Sequence, residues 1–364
     1  MKPFSIVLLF TALSLAGCSD PVEEAPPSRQ GGTGKLLIPE QGAYTGAYID
    51  AGESEDDVTI EGIEDFEKLV GKQQAIIASS SYWGEQTFPR RNMEIISRHG
   101  SVPLLFWSPW DKPYLQDLGP DRFNLFAILA GRWDDYIDKW ADEAKAFGKP
   151  LFVAWGIEMN GTWFPWSGFF YGGDQKLNGT GDFLGPDTYK RTYRYIVDRV
   201  RARGASNILW VFHANNYSYP VDPWNTIQSY YPGSDYVDWL GISAYGTQFH
   251  FQDWVYPKDV FNVPYQALCA VDPNKPIMFA EWGVADLPQK GNRAEWITES
   301  FNMLSTKYPR MKAAIFWHER WKNQDGSYSN LRVTSSNEVL KAYQKGVASP
   351  FWLSSPIWEK KPAP

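Results

Sequence analysis

Leu151-Phe152-Val153-Ala154-Trp155-Gly156-Ile157-Glu158 opens as an unbroken apolar run and ends on a carboxylate. A run this short, apolar at every position, reads as a strand buried on both faces, as in parallel sheets. Just before it, Asp134 to Phe147 repeats Ile137, Trp140, Ala141, Ala144 and Phe147 at helical spacing, with Asp134 to cap the start and Gly148 to end it. The same alternation extends in both directions, with further runs near Thr45–Ala51, Ala75–Ser81, Val102–Trp107, Asn207–His213, Val237–Tyr245, Pro276–Glu281 and Ala313–His318. Asp187 to Arg203 and Asn292 to Lys307 read as helices between them. Eight strands, each leading toward a helix, predict an α/β fold closed as a (β/α)8 TIM barrel. An open doubly wound sheet would want a Gly-rich phosphate turn after an early strand, and none is present. The Gly-, Asn- and Asp-rich loop Tyr171 to Pro186 reads as a surface insertion near the active face.

The barrel fits residues 41–350 as one domain, since such folds run to ~250 residues and more with insertions. The flanks read differently. Met1-Lys2 and the apolar run Phe4 to Ala16 have the form of a cleavable signal over residues 1–17, too short for a permanent span. The run ends Leu15-Ala16-Gly17-Cys18, which resembles the bacterial lipobox and implies lipidation of Cys18. Ser19 follows, rather than the Asp that commonly marks inner-membrane retention, so the expected location is an outer-membrane-anchored lipoprotein. Residues 18–40 hold Pro21, Pro26, Pro27, Gly31, Gly32 and Gly34 with few large apolar side chains, and read as a flexible tether. Residues 351–364 read as a C-terminal tail.

Composition narrows the partner. A net charge of −7 argues against nucleic acid, which asks for a basic face. Four histidines without paired spacing give no metal-site signature, and a lipidated Cys18 leaves Cys269 without a disulfide partner in the chain. No cofactor motif is present. The 18 Trp, 20 Tyr and 21 Phe exceed what core packing usually requires. Pyranose rings stack their apolar faces on flat aromatic rings, so a neutral polysaccharide or oligosaccharide is the expected partner.

In a (β/α)8 enzyme the reactive groups stand at the C-terminal ends of strands. Two glutamates are so placed. The fourth strand delivers Glu158 into Met159-Asn160-Gly161-Thr162-Trp163-Phe164-Pro165-Trp166, and the seventh ends Met278-Phe279-Ala280-Glu281-Trp282-Gly283. A carboxyl delivered into an aromatic loop sits in a partly dry cleft, where its pKa rises enough to donate a proton. Retaining glycosidases use such a pair at about 5 to 5.5 Å, one as acid/base and the other as nucleophile. Trp107, Trp110, Trp163, Trp166, Trp282 and Trp317, each at or just past a strand end, are candidate sugar-binding walls, with core packing as the alternative for each. Trp140 and Trp210, in a helix and mid-strand, are assigned to packing. Asn160 and His213 are candidate substrate contacts, a structural hydrogen bond being the alternative for His213 as for His318. Glu319 is read as a surface carboxylate.

The chain resembles glycoside hydrolase family 26 over nearly the whole barrel. The resemblance is carried by Gly46-Ala47-Tyr48, Trp107-Ser108-Pro109-Trp110, Gly131-Arg132-Trp133-Asp134-Asp135-Tyr136-Ile137, Glu158-Met159-Asn160-Gly161 and Trp163-Phe164-Pro165-Trp166. It continues in Asn207-Ile208-Leu209-Trp210-Val211, Tyr236-Val237-Asp238-Trp239-Leu240-Gly241-Ile242 and Lys275-Pro276-Ile277-Met278-Phe279-Ala280-Glu281. It implies Glu158 as acid/base, Glu281 as nucleophile and Tyr245 as a hydrogen-bond partner near the nucleophile. It also implies a retaining endo-β-glycanase, with β-1,4-mannan first among substrates and mixed-linkage β-glucan or β-1,3-xylan next. A barrel that binds polysaccharide without cutting it is the rival of another class. Two departures stand out. Ile157 and Ala154 replace a His and an Arg that family members usually carry, and Trp282 stands where a small polar residue is common.

Overall fold

The structure, a computed structural model, describes residues 34–50, 57–111, 119–177, 179 and 181–359. The signal segment and Cys18 lie outside the described residues. Eight strands form the barrel: β1 (Ala43–Ile49), β2 (Ile76–Tyr82), β3 (Val102–Ser108), β4 (Leu151–Trp155), β5 (Ile208–Asn215), β6 (Trp239–Tyr245), β7 (Ile277–Gly283) and β8 (Met311–His318). Each pairs in parallel with the next. β8 closes onto β1 from Tyr44↔Ala313 to Ile49↔His318, so no barrel edge is left open.

The helices between them are α1 (Ile60–Val70), α2 (Arg90–His99), α3 (Leu125–Leu129), α4 (Asp134–Phe147), α5 (Leu184–Ala202), α6 (Ile227–Tyr230), α7 (Pro257–Val271), α8 (Arg293–Thr306) and α9 (Asn337–Val347). Gly148 ends α4 at φ 68°, the left-handed conformation that glycine adopts without a Cβ penalty. Asp134 does not cap that helix. It is the first helical residue, after Trp133, and its carboxylate pairs with Arg199 of α5 at 2.7 Å. Asn292 caps α8 by accepting from the Glu295 N–H.

The strands are buried along nearly their whole length because alternate side chains enter two different interiors. On β3, Phe106 and Ser108 face the barrel axis, while Trp107 between them points outward and stacks on Trp140 of α4 at 3.9 Å. Burying an aromatic ring removes ~150–250 Å² from water, about 4–6 kcal/mol at 25 cal/mol/Å². A tryptophan layer between strands and helices is therefore a principal source of cohesion here. Trp210 of β5 belongs to it, with its edge toward Tyr193.

Both flanks are shorter than the composition suggests. Leu36 is buried and bridges Trp358, and the Leu37 N–H donates to the Ile357 carbonyl at 2.9 Å. The stretch read as a tail begins with a short strand, β11 (Trp352–Leu353), parallel to β1, with Trp352 fully buried. Residues 34–40 and 351–359 thus close the base of the barrel rather than trailing from it. Their apolar residues are too few to register as a strand pattern, yet each finds a partner in the other. A hairpin, β9 (Arg320–Lys322) with β10 (Tyr328–Asn330), rises after β8 at the opposite end.

Candidate active site

β4 stops at Trp155, and the chain then turns through Gly156 at φ 57° and Glu158 at φ 55°. A non-glycine residue in this left-handed region costs on the order of 1–3 kcal/mol and persists only where its surroundings fix it. Here they do. The Glu158 N–H donates to the His213 carbonyl of β5 at 2.8 Å, and the Glu158 carbonyl accepts from Gly161 at 3.0 Å. Asn160 then stitches the loop down: its amide oxygen accepts from Asn215 N–H, and its nitrogen donates to the Asn215 carbonyl and Ser218 Oγ. Asn160 is fully buried, so it braces the acid-bearing turn and does not meet substrate, contrary to the sequence expectation.

Glu281 is delivered by a different device. The β6–β7 register runs Ile242↔Phe279 and then Ser243↔Glu281, skipping Ala280, and the β7–β8 register shifts over the same residues. An extra residue in one strand bends it and re-aims the side chains beyond it. The bulge turns Glu281 to the axis and Trp282 outward, where Trp282 packs against Trp296, Phe301 and Phe316.

The two carboxyl groups line one cleft, together with Ser80, Tyr82, Phe106, Ser108, Trp110, Ile157, Phe164 and Trp317. Glu158 and Glu281 are 7% and 5% exposed, enough to meet a ligand at the cleft surface and little enough to be poorly hydrated. Burial pushes the Glu158 carboxyl above the usual range, opposed by hydrogen bonds from Ser243, Trp163 and Asn215. The Trp163 indole N–H donates to Glu158 Oε2 at 2.6 Å. Tyr245 donates its phenol to Glu281 Oε2 at 2.7 Å, and its own pKa is driven well above 10 by burial and by the negative charge of Glu281.

Among the aromatic candidates, Trp110 and Trp317 face the cleft and Trp163 touches Glu158. Trp317 is held from two sides, stacked on Tyr48 at 3.9 Å and donating to Glu319 Oε2 at 2.6 Å. Glu319 thus fixes the cleft wall rather than merely facing solvent. Trp107, Trp166 and Trp282 do not line the cleft. Trp107 and Trp282 fall on the outward parity of their strands, and Trp166 is buried behind Phe164, its indole donating to the Ile157 carbonyl. His213 lies fully buried beneath the cleft, its pKa lowered by burial to about 3, with Nε2 2.8 Å from Ser243 Oγ and 3.8 Å from Glu281 Oε1. It is too deep to contact substrate. His318 falls on the outward parity of β8, against Phe66 of α1, and accepts from the Val333 N–H.

Ser80, Tyr82, Phe106, Ser108 and Phe164 line the cleft without having been singled out from the sequence, and Asn215 and Ser243 reach Glu158. For β2 and β3 the signal was available: residues two apart share a face, so one axial residue near a strand end implies its neighbour at i−2. The contacts of Ser243 and Asn215 depend on neighbouring strand register and had no such signal.

The sequence model of glycosyl hydrolase family 26 matches residues 127–277. Over that segment the chain is similar to glycosyl hydrolase family 26. The matched segment contains Glu158, Trp163, His213, Ser243 and Tyr245, and ends just short of Glu281. Endoglucanase H of Acetivibrio thermocellus is 31% identical over 312 residues, 85% of this chain and 31% of that protein. A mannan endo-1,4-beta-mannosidase of Bacillus subtilis is 28% identical over 246 residues, 66% of this chain and 58% of that protein. The chain therefore spans less than two thirds of each relative's length. Among solved structures, the YdhT protein of Bacillus subtilis superposes with a TM-score of 0.59 at 19% identity, covering 87% of each chain. A family 26 beta-mannanase from Bacteroides ovatus gives 0.57 at 19% identity, covering 86% of this chain and 90% of its own. At such identities these structures speak to the barrel alone.

Proposed function

We propose that the protein is a retaining endo-β-glycanase acting on a neutral β-linked polysaccharide, with β-1,4-mannan first among substrates. The observation that carries this reading is the convergence of Glu158 and Glu281 on one aromatic-walled cleft in unequal environments. Glu158, its charge disfavoured by burial, donates a proton to the leaving oxygen. Glu281, oriented by Tyr245, attacks the anomeric carbon, and the resulting glycosyl-enzyme is hydrolysed by a water that Glu158 deprotonates. No cofactor enters these steps. Tyr82, Trp110, Phe164 and Trp317 supply flat apolar surface for sugar rings.

The relatives' names support the class, and the mannosidase of Bacillus subtilis supports mannan. The alignment with Endoglucanase H, over 85% of the chain, favours β-glucan as the second substrate. Incubation of the protein and of its Glu158→Ala and Glu281→Ala variants with mannan, lichenan, cellulose and β-1,3-xylan tests the reading. Oligosaccharides released by the parent and by neither variant are the expected result. Binding without release would make the barrel a polysaccharide-binding protein.

The Leu15-Ala16-Gly17-Cys18 segment supports a lipid anchor at Cys18 facing the periplasm or cell surface. Among the described residues, no helix is long and apolar enough to cross a membrane. Radiolabelled palmitate incorporated by the parent and lost in Cys18→Ala is the outcome this anchor predicts.

A further inference from the structure

We infer that His213 and Ser243 form a buried positioning relay for Glu158, ordered from His213 Nε2–H to the Ser243 hydroxyl to the Glu158 carboxylate. The inference rests on the reading of Glu158 as the acid/base. Ile157, the residue before Glu158, is apolar, so it offers no hydrogen bond to steer the carboxyl from its own loop. Steering comes from Trp163 further along that loop and from the neighbouring strands. β5 already holds the Glu158 backbone through the His213 carbonyl, and β6 reaches the side chain through Ser243.

The proton order follows from what each group can do. An ionised carboxylate only accepts, so the single hydroxyl proton of Ser243 must point to Glu158. The Ser243 oxygen then has lone pairs for a donor, and His213 Nε2 lies 2.8 Å away. The ring must therefore carry its proton on Nε2. His213 Nδ1 is buried with no hydrogen-bond partner, and the Phe106 ring is 5.6 Å from the imidazole. A proton on Nδ1 would be a buried donor without an acceptor, which is unfavourable. The same Nε2 lies 3.8 Å from Glu281 Oε1, so one neutral N–H stands between the two carboxyls.

The titratable groups around Glu158 include Glu281 of β7, Tyr245 of β6, His213 of β5 and Tyr82 of β2, with Glu319 after β8 close enough to act on Tyr245. Among the described residues, those lining the cleft include no lysine or arginine. In that acidic setting the relay is the neutral device that holds Glu158 when it is ionised, which is when it must take a proton from water.

Nitrogen-15 NMR of the whole protein, with selectively labelled histidine, reads the tautomer directly. The Nε2–H form of His213 is expected, and the Nδ1–H form overturns the relay. Carbon-13 titration of the Glu158 carboxyl then compares the parent with Ser243→Ala and Ser243→Thr. Loss of the donor should raise the midpoint by about one pH unit, and threonine should restore it; a midpoint unmoved in Ser243→Ala contradicts the inference. In turnover, Ser243→Ala should lower kcat about tenfold with KM unchanged, and Ser243→Thr should recover it. A protein with the Nε2–H tautomer and the shifted midpoint that cleaves no glycan refutes the hydrolase reading alone. An active hydrolase with the Nδ1–H tautomer refutes the relay alone.

Discussion

Glu158 and Glu281 are the same residue type at the same rim of the same barrel, and the fold treats them oppositely. Glu158 stands three residues past the end of β4 on a left-handed backbone, in contact with an indole, an amide and a hydroxyl, all uncharged. Glu281 stays inside β7, aimed by a bulge and held by a phenol. A carboxyl whose charge is disfavoured suits proton donation, and one fixed rigidly in a strand suits attack on a defined carbon. The proposed division of labour between the two glutamates thus rests on backbone geometry as much as on neighbours.

The sharpest way to break this comparison is to delete each partner. Glu281→Ala should abolish turnover of every substrate, a loss above 10⁴-fold, because no covalent intermediate can form. Glu158→Ala should cost about 10²–10⁴-fold on polysaccharide, yet little in the first step with an aryl glycoside whose leaving group needs no proton. Equal losses on both substrates in steady-state and burst kinetics would erase the distinction. Next in size, Tyr245→Phe removes a charge-assisted hydrogen bond from Glu281, and kcat/KM should fall about 10- to 100-fold, in keeping with ~1.5–3 kcal/mol for such bonds. Trp163→Phe removes a donor that favours the ionised form of Glu158. Its pKa should rise further, moving the high-pH limb of the kcat/KM profile upward by up to about one unit.

The smallest effect concerns stability. Burial holds His213 at about 3 and His318 at about 4, against 6.5 for a free imidazole. The unfolded chain therefore binds protons that the folded one refuses, so stability present above pH 6.5 is lost as pH falls toward those values. Each histidine contributes a slope of up to ~1.4 kcal/mol per pH unit. His318→Gln should remove one such slope, and urea unfolding between pH 6 and 5 should show a flatter decline than in the parent.

The fold was legible because its signal is repetitive: eight apolar runs survive errors of one or two residues at any boundary. The cleft was less so, and the failures have separate physical causes. Trp107 and Trp282 sit at strand ends but on the outward parity, and strand-end position alone does not settle parity. For Trp282 the bulge at Ala280 intervenes, and it is visible only through the registers with β6 and β8. Asn160 and His213 are polar residues near the site whose partners lie on neighbouring strands, so their work in bracing Glu158 leaves no trace in local sequence. The flanks misled because two short apolar segments far apart in sequence each carry too little pattern until they meet under the barrel.

The central claim is that Glu281 forms the covalent bond while Glu158 moves the proton. An activated 2-deoxy-2-fluoro glycoside of the sugar that the protein releases would trap the intermediate, and mass spectrometry of the digested protein would locate the label. The account predicts the sugar on the peptide containing Glu281 and no other; a label on Glu158, or none alongside continued turnover, would contradict it.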